Sequence, residues 1–245
     1  MRNLKIVVEY DGARYHGWQR QRDLITVQQV LEDTVCRITG EAPVVFGSGR
    51  TDAGVHALQQ TANFKTPSGI SETNFMAAMN SLLPDDITVK ELREVPESFH
   101  ARFDAKSKVY MYQIVNSPIR PALYRQYSWY IRNPLDVIAM ERGLSLLRGR
   151  HDFTAFCGKK EPDYNCIRTI TNVRLEKRTS EIICIYLEAD GFLRYMVRSV
   201  VGTLVEVGRG KRTPEELLHV LQAKERKGAG ITAPPQGLFL MEVKY

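Results

Sequence analysis

The chain has 245 residues, 43% of them hydrophobic and 25% charged, a globular balance that excludes disordered and fibrous classes and allows roughly 70 to 75% of the unfolded surface to be buried. Its formal net charge of +6 suits a polyanionic partner and is unevenly placed: residues 1–104 carry 11 Lys and Arg against 14 Asp and Glu, residues 105–245 carry 23 against 14. No stretch approaches a membrane span, the start MRNLKIVVEY has no long apolar leader, and Cys36, Cys157, Cys166 and Cys184 form no CxxC pair, so a soluble cytoplasmic protein with reduced thiols and no metal is expected.

In chain order, LKIVVEY alternates as a strand that places Leu4, Ile6, Val8 and Tyr10 on one face. Thr26 and Gln29 form a capping box for a helix whose apolar stripe is Val27, Val30, Leu31, Val35 and Ile38. Strands are predicted at Pro43 to Phe46 and Ala57 to Phe64, a helix capped by Ser71 carries Phe75, Met79 and Leu82, and Ile87 to Val95 closes the unit. The order βαββαβ is ferredoxin-like. The second half repeats it without repeating the sequence, with strands at Arg125 to Arg132, Arg168 to Leu175, Ile182 to Ala189 and Gly237 to Val243. Its helices are expected at Leu135 to Leu147, at Phe192 to Val207 and from Thr213, where Thr213, Pro214 and Glu216 supply cap, N1 proline and capping box. Lys106 to Val115 bridges the halves. The expected class is α+β, with two such units joined into a mixed, mainly antiparallel sheet around a central active-site cleft. The domains are expected at 1–104, carrying a glycine-rich loop, and 105–245, the basic one. Gly158 to Asn165 and Ala223 to Gln236 read as the loosest loops.

The segment Phe46-Gly47-Ser48-Gly49-Arg50-Thr51-Asp52-Ala53-Gly54-Val55-His56 is the densest chemical signal. Three glycines allow tight backbone turns. It fails as a dinucleotide or P-loop motif, because Asp52 stands where a glycine belongs and no Gly-Lys-Ser/Thr follows. From the glycines alone, a hairpin turn with Asp52 bonded to nearby amides fits equally well. Arg50 favours chemistry, since a guanidinium beside a carboxylate favours its ionised form and fixes its orientation. A carboxylate enzyme acting on nucleic acid fits both this loop and the basic second half.

GSGRTDAGVHA resembles the catalytic loop of the tRNA pseudouridine synthase A family, and the likeness continues through YDGARYHGWQRQ, FHARFDAKSKVYMYQI, FLRYMVRSVVGTLVEVGRGK and APPQGLFLMEVKY. The resemblance implies the pseudouridine synthase fold and an isomerase without cofactor. It implies Asp52 as nucleophile, Arg50 as its partner and Tyr110 as the aromatic that stacks on the target uracil. Arg198 would reach the active-site cleft and Leu238 would wall an apolar pocket, although a phosphate or structural contact fits Arg198 as well and a core position fits Leu238. The implied targets are uridines near positions 38 to 40 of the tRNA anticodon stem-loop, bound by a homodimer.

His56 reads as a hydrogen-bonding or RNA-contacting residue rather than a catalytic one. Arg14, His16, Arg20 and Arg22 with Trp18 give the first loop basic and aromatic groups suited to an RNA strand, or simply an exposed polar loop. Lys159 and Lys160 suit phosphate contacts, and Lys224, Arg226 and Lys227 read as a solvated helix end. The alternative function is a non-catalytic RNA-binding protein, for which the sequence lacks an RNP-type aromatic signature.

Overall fold

The computed structural model describes residues 1–158 and 164–245, which fall into two compact units: Met1–Lys106 with Phe239–Tyr245, and Ser107–Leu238. The α+β class holds.

In the first unit the alternating segment becomes β1 (Arg2–Tyr10), whose Leu4, Ile6, Val8 and Tyr10 are all 2% exposed or less. Helix α1 (Val27–Thr39) starts as expected, with Thr26 accepting from Gln29 N and Gly40 ending it in the left-handed region. Strand β2 is only Phe46–Gly47, shorter than the expected Pro43 to Phe46. The cause is local: Val45 N donates to Glu32 Oε1 at 3.2 Å and Val45 O accepts from Gln28 Nε2 at 2.9 Å. Side chains of α1 thus satisfy the backbone groups a strand ladder would have used. β3 (His56–Thr66), α2 (Glu72–Leu82), capped by Ser71, and β4 (Ile87–Val95) complete the βαββαβ order.

β1 lies between β4 and β3, antiparallel to both, with Leu4 opposite Phe64 and Ile6 opposite both Ala62 and Leu92. Their shared face carries the core, where Phe64 meets Phe75 of α2 at 5.8 Å between ring centroids. The last strand of the chain, Leu238–Lys244, pairs parallel to β3 through Phe239 and Leu240.

In the second unit β5 (Ser107–Asn116), β9 (Ile182–Ala189), β8 (Ile167–Lys177) and β7 (Gly149–Asp152) form an antiparallel sheet in that order. The expected strand Arg125 to Arg132 shrinks to β6 (Trp129–Ile131), parallel to β5. The preceding residues instead close a turn, with Tyr127 N and Ser128 Oγ both donating to Tyr124 O. β7 had no periodic signal: Arg150, His151 and Asp152 sit on an edge strand, where charged residues are at home. Helix α3 (Val137–Ser145) is capped by Asp136.

Helix α4 (Met196–Gly208) begins four residues later than the sequence suggests, because Tyr195 takes a left-handed conformation at its N-cap, and almost all of it is buried. Helix α5 (Glu216–Ala223) also begins late. The capping-box bond from Thr213 N to Glu216 Oε2 nevertheless forms, at 2.5 Å. Among the described residues no helix is long and apolar enough to cross a membrane.

Candidate functional site

In the first unit the loop from Phe46 to His56 is held from below by the segment that follows β1. Gly17, at φ +86°, is pressed so closely on the loop that a Cβ there would lie 2.5 Å from Thr51 O and 3.1 Å from Asp52 C. Trp18 N donates to Thr51 O at 3.1 Å, and Gly54 N donates to Tyr15 O at 3.3 Å. The indole of Trp18 packs where a side chain at Gly47 would stand, 2.4 Å from its missing Cβ. Two glycines thus allow backbone and ring contacts that no other residue type permits.

A buried polar network fixes the rest of the loop. Tyr10 Oη and Thr51 Oγ1 are 2.8 Å apart. Ser48 Oγ donates to Gln60 Oε1 at 2.7 Å, and Gln60 Nε2 donates to Gly49 O at 3.0 Å. Burial drives the Tyr10 phenol well above its ordinary range, against the opposing hydrogen bonds from Thr51 and Gln60; it therefore stays neutral and serves as a hydrogen-bonding strut. Asp52 itself is half-buried at the end of this scaffold, and its carbonyl accepts from Val55 N at 3.1 Å.

Arg50 is exposed, and its Nε donates to Gln19 Oε1 at 3.2 Å. Gln19 is in turn tied to Gln28 at 2.8 Å, so the orientation of Arg50 comes from the first loop. His56 is 2% exposed. Its Nδ1 lies 3.1 Å from Gly12 N and 2.9 Å from Asp11 Oδ1, and its ring stacks on Phe239 at 4.8 Å.

Trp18, expected as an RNA-facing aromatic, is 2% exposed and belongs to the loop's support. The charges around it divide. Arg20 pairs with Glu32 at 2.7 Å, Arg14 with Asp86 at 3.3 Å and Arg22 with Asp23 at 3.6 Å, the side chains of Arg14 and Arg22 being 82% and 95% exposed.

In the second unit Tyr110 lies on β5, 6% exposed, with its ring edge-on to Phe192 at 5.0 Å. Arg198, on α4, donates Nε to Ala233 O at 2.7 Å and holds its guanidinium 5.2 Å from the Tyr195 ring centroid. Close by, Tyr112 donates its hydroxyl to Pro234 O at 2.7 Å. Burial pushes that phenol strongly upward, while the Arg198 charge pulls it down. Leu238 is buried at 5% exposure.

Lys159 and Lys160 lie outside the described residues. Lys224 caps the end of α5 with its side chain 58% exposed and pairs with Asp152 at 2.9 Å, Lys227 is 84% exposed, and only Arg226 turns inward, to Gly230 O and Thr232 Oγ1 at 2.9 and 2.8 Å.

An exposed aromatic group that sequence reasoning did not single out stands next to the loop: Phe46, His100 and Phe103, with ring centroids 5.1 and 4.4 Å apart. The signal was present in FHARF, which aligns two aromatics and a histidine with an arginine, but burial separates such a group from core residues and burial is invisible in one sequence.

A family model described as tRNA pseudouridine synthase matches residues 6–104 and 144–245. The chain is 47% identical to tRNA pseudouridine synthase A of Thermoanaerobacter sp. (strain X514) and 47% identical to the protein of that name in Acetivibrio thermocellus. It is 46% identical to tRNA pseudouridine synthase A 2 of Clostridium perfringens, and each of these three matches covers 100% of both chains.

Proposed function

Because the chain belongs to the tRNA pseudouridine synthase family, we propose that Asp52 is the carboxylate through which it isomerises uridine in tRNA. The enzyme is an isomerase acting on tRNA uridines, which sets aside the non-catalytic RNA-binding alternative.

The observation that carries the proposal for Asp52 is the fixing of its main chain: Thr51 and Asp52 rest on Gly17, with Thr51 pinned by Trp18 N and Tyr10 Oη. A covalent or proton-abstracting carboxylate must be held within bonding distance of one atom, and a rigid, half-buried loop supplies that constraint.

In the reaction the N1–C1′ bond breaks, C5 bonds to C1′, the hydrogen on C5 leaves as a proton and N1 takes one up. No redox equivalent is consumed. The carboxylate can add to C6, attack C1′, or take the C2′ proton to give a glycal; each route needs its charged form. The target base must leave the helical stack, at a cost of about a few kcal/mol. We assign Tyr110 to stack on the flipped uracil, its ring fixed edge-on by Phe192. Arg198, oriented by Ala233 O and Tyr195, contacts the substrate in the same assignment, and Leu238 gives an apolar wall. Exposed Arg50 suits a backbone phosphate next to the target.

The family likeness further suggests targets in the anticodon stem-loop, about positions 38 to 40, a homodimeric enzyme and a cytoplasmic setting.

The test is Asp52→Asn with tRNA carrying tritium at uridine C5. Asparagine keeps size and hydrogen bonding but not charge. Label release should vanish while tRNA affinity stays at least at the wild-type level, since distributed phosphate contacts dominate binding. Substantial release by the folded variant would remove Asp52 from the chemistry. Mapping modified bases after incubation tests the target positions.

A further inference from the structure

We propose that Phe46, His100 and Phe103, with Arg102, form a stacking platform for an unpaired base of the RNA next to the target uridine. It rests on the catalytic assignment of the Phe46–His56 loop only for its place on the substrate. Phe103 is 73% exposed and Phe46 44% exposed. His100 lies between them, 5.1 Å from Phe46 and 4.4 Å from Phe103, the three rings forming one tilted row. The Arg102 guanidinium stands 5.7 Å from the Phe103 ring centroid.

The backbone that presents this row is rigid. Phe103 N and Asp104 N both donate to His100 O at 3.1 Å, and Arg102 N donates to His100 Nδ1 at 3.1 Å. Ala101, fully buried between the presented side chains, is clamped by Asn63 Oδ1 on its N–H at 2.8 Å and by the Tyr245 hydroxyl on its carbonyl at 2.7 Å. Unlike a single exposed side chain, Phe46, His100 and Phe103 gathered on one face make an apolar patch of the kind that marks a binding surface.

The chemistry of the row selects a nucleobase. Flat π-faces accept any base, and the adjoining arginine adds a cation for base or phosphate. Its place is equally telling, since Phe46 and Gly47 are β2 and run directly into Ser48, Gly49, Arg50, Thr51 and Asp52. A strand of RNA that delivers its uridine to Asp52 passes over Phe46, so the base beside the flipped nucleotide, having lost a stacking neighbour, finds a replacement surface there.

The experiment uses an anticodon stem-loop RNA with 5-iodouridine at successive unpaired positions beside the target uridine, irradiated in complex with the full-length protein, with adducts located by mass spectrometry. Crosslinks to Phe103, His100 or Phe46 are expected from one or two neighbouring positions. Phe103→Ala and Phe103→Leu should each raise the Kd for tRNA about tenfold, whereas Phe103→Trp keeps it, because stacking requires a π-face and not bulk alone. The high exposure of Phe103 makes all three compatible with folding.

Adducts confined to other residues, together with an unchanged Kd for Phe103→Ala, would overturn the proposal. So would a change in sedimentation state in Phe103→Ala that Phe103→Leu does not reproduce, with no adduct on the row, which would make this face a contact between copies of the chain. Binding and crosslinking need no turnover, so an error in the role of Asp52 leaves both readouts intact and appears only as label release by Asp52→Asn.

Discussion

Replacing Gly17 by alanine tests how strictly the loop bearing Asp52 depends on the segment beneath it. Two costs add at this position. A φ of +86° is disfavoured for an L-residue by about 1 to 2 kcal/mol. The new Cβ would also stand 2.5 Å from Thr51 O and 3.1 Å from Asp52 C, so the Thr51–Asp52 peptide must retreat by roughly half an ångström or more to restore ordinary contact. A stability loss of about 2 to 4 kcal/mol follows, or a Tm lowered by about 5 to 15 °C.

The larger effect falls on rate, since a displacement approaching 1 Å at a reacting group costs about a hundredfold. Gly40 supplies the control: its φ is +76°, but no atom lies within 4 Å of the added Cβ. Gly40→Ala should therefore lose about 1 kcal/mol and turn over normally. The assay is tritium release under single-turnover conditions with enzyme in excess, beside a thermal melt and a tRNA Kd for each variant. A Gly17→Ala protein that melts lower yet reacts at the wild-type rate would refute the coupling between this glycine and the loop.

Tyr110→Phe should keep stacking and bind tRNA normally, whereas Tyr110→Ala should lose about tenfold or more in single-turnover rate; equal and negligible effects would remove Tyr110 from the site. tRNA affinity should fall steeply between about 50 and 200 mM salt in filter binding, because phosphate contacts carry it, and a flat salt profile would contradict that. Burial works against the charged form of Asp152, but hydrogen bonds from Thr154 and Lys224 outweigh it and hold the carboxyl at about 2. A carboxyl depressed on folding stabilises above its unfolded pKa and loses this as pH falls through its folded pKa. Asp152→Asn should therefore cost about 1 to 2 kcal/mol in denaturant melts at pH 7, with the difference shrinking between about pH 4 and pH 2.

Elements that bury one face were legible in the sequence. The period of LKIVVEY and the caps at Thr26 and Ser71 gave β1, α1 and α2 because side-chain alternation and unsatisfied helix N–H groups leave fixed spacings. Elements set by long-range pairing were not. Val45 surrenders its ladder to Gln28 and Glu32, Arg125 to Ser128 close a turn instead of a strand, and β7 exists only because β8 lies beside it. The loop around Asp52 stood out through its composition, yet its support did not: nothing local to Gly17 or Trp18 says which backbone they will meet. Trp18 shows the limit most clearly, since an aromatic among arginines reads as an RNA contact until its burial is seen.

The parallel pairing of the last strand with β3 has a consequence for synthesis. Phe239 stacks on His56, Lys106 N donates to Lys244 O, and Lys5 Nζ lies 4.6 Å from the Tyr245 ring centroid. The first half of the chain therefore leaves the ribosome without one strand of its sheet, and must wait for Phe239 and Leu240 to be translated. A chain ending at Leu238 would hold every side chain assigned to the substrate and still lack the pairing of Phe239 and Leu240 with β3. The unit bearing Asp52 is therefore completed only after the whole of Ser107–Leu238 has been synthesised.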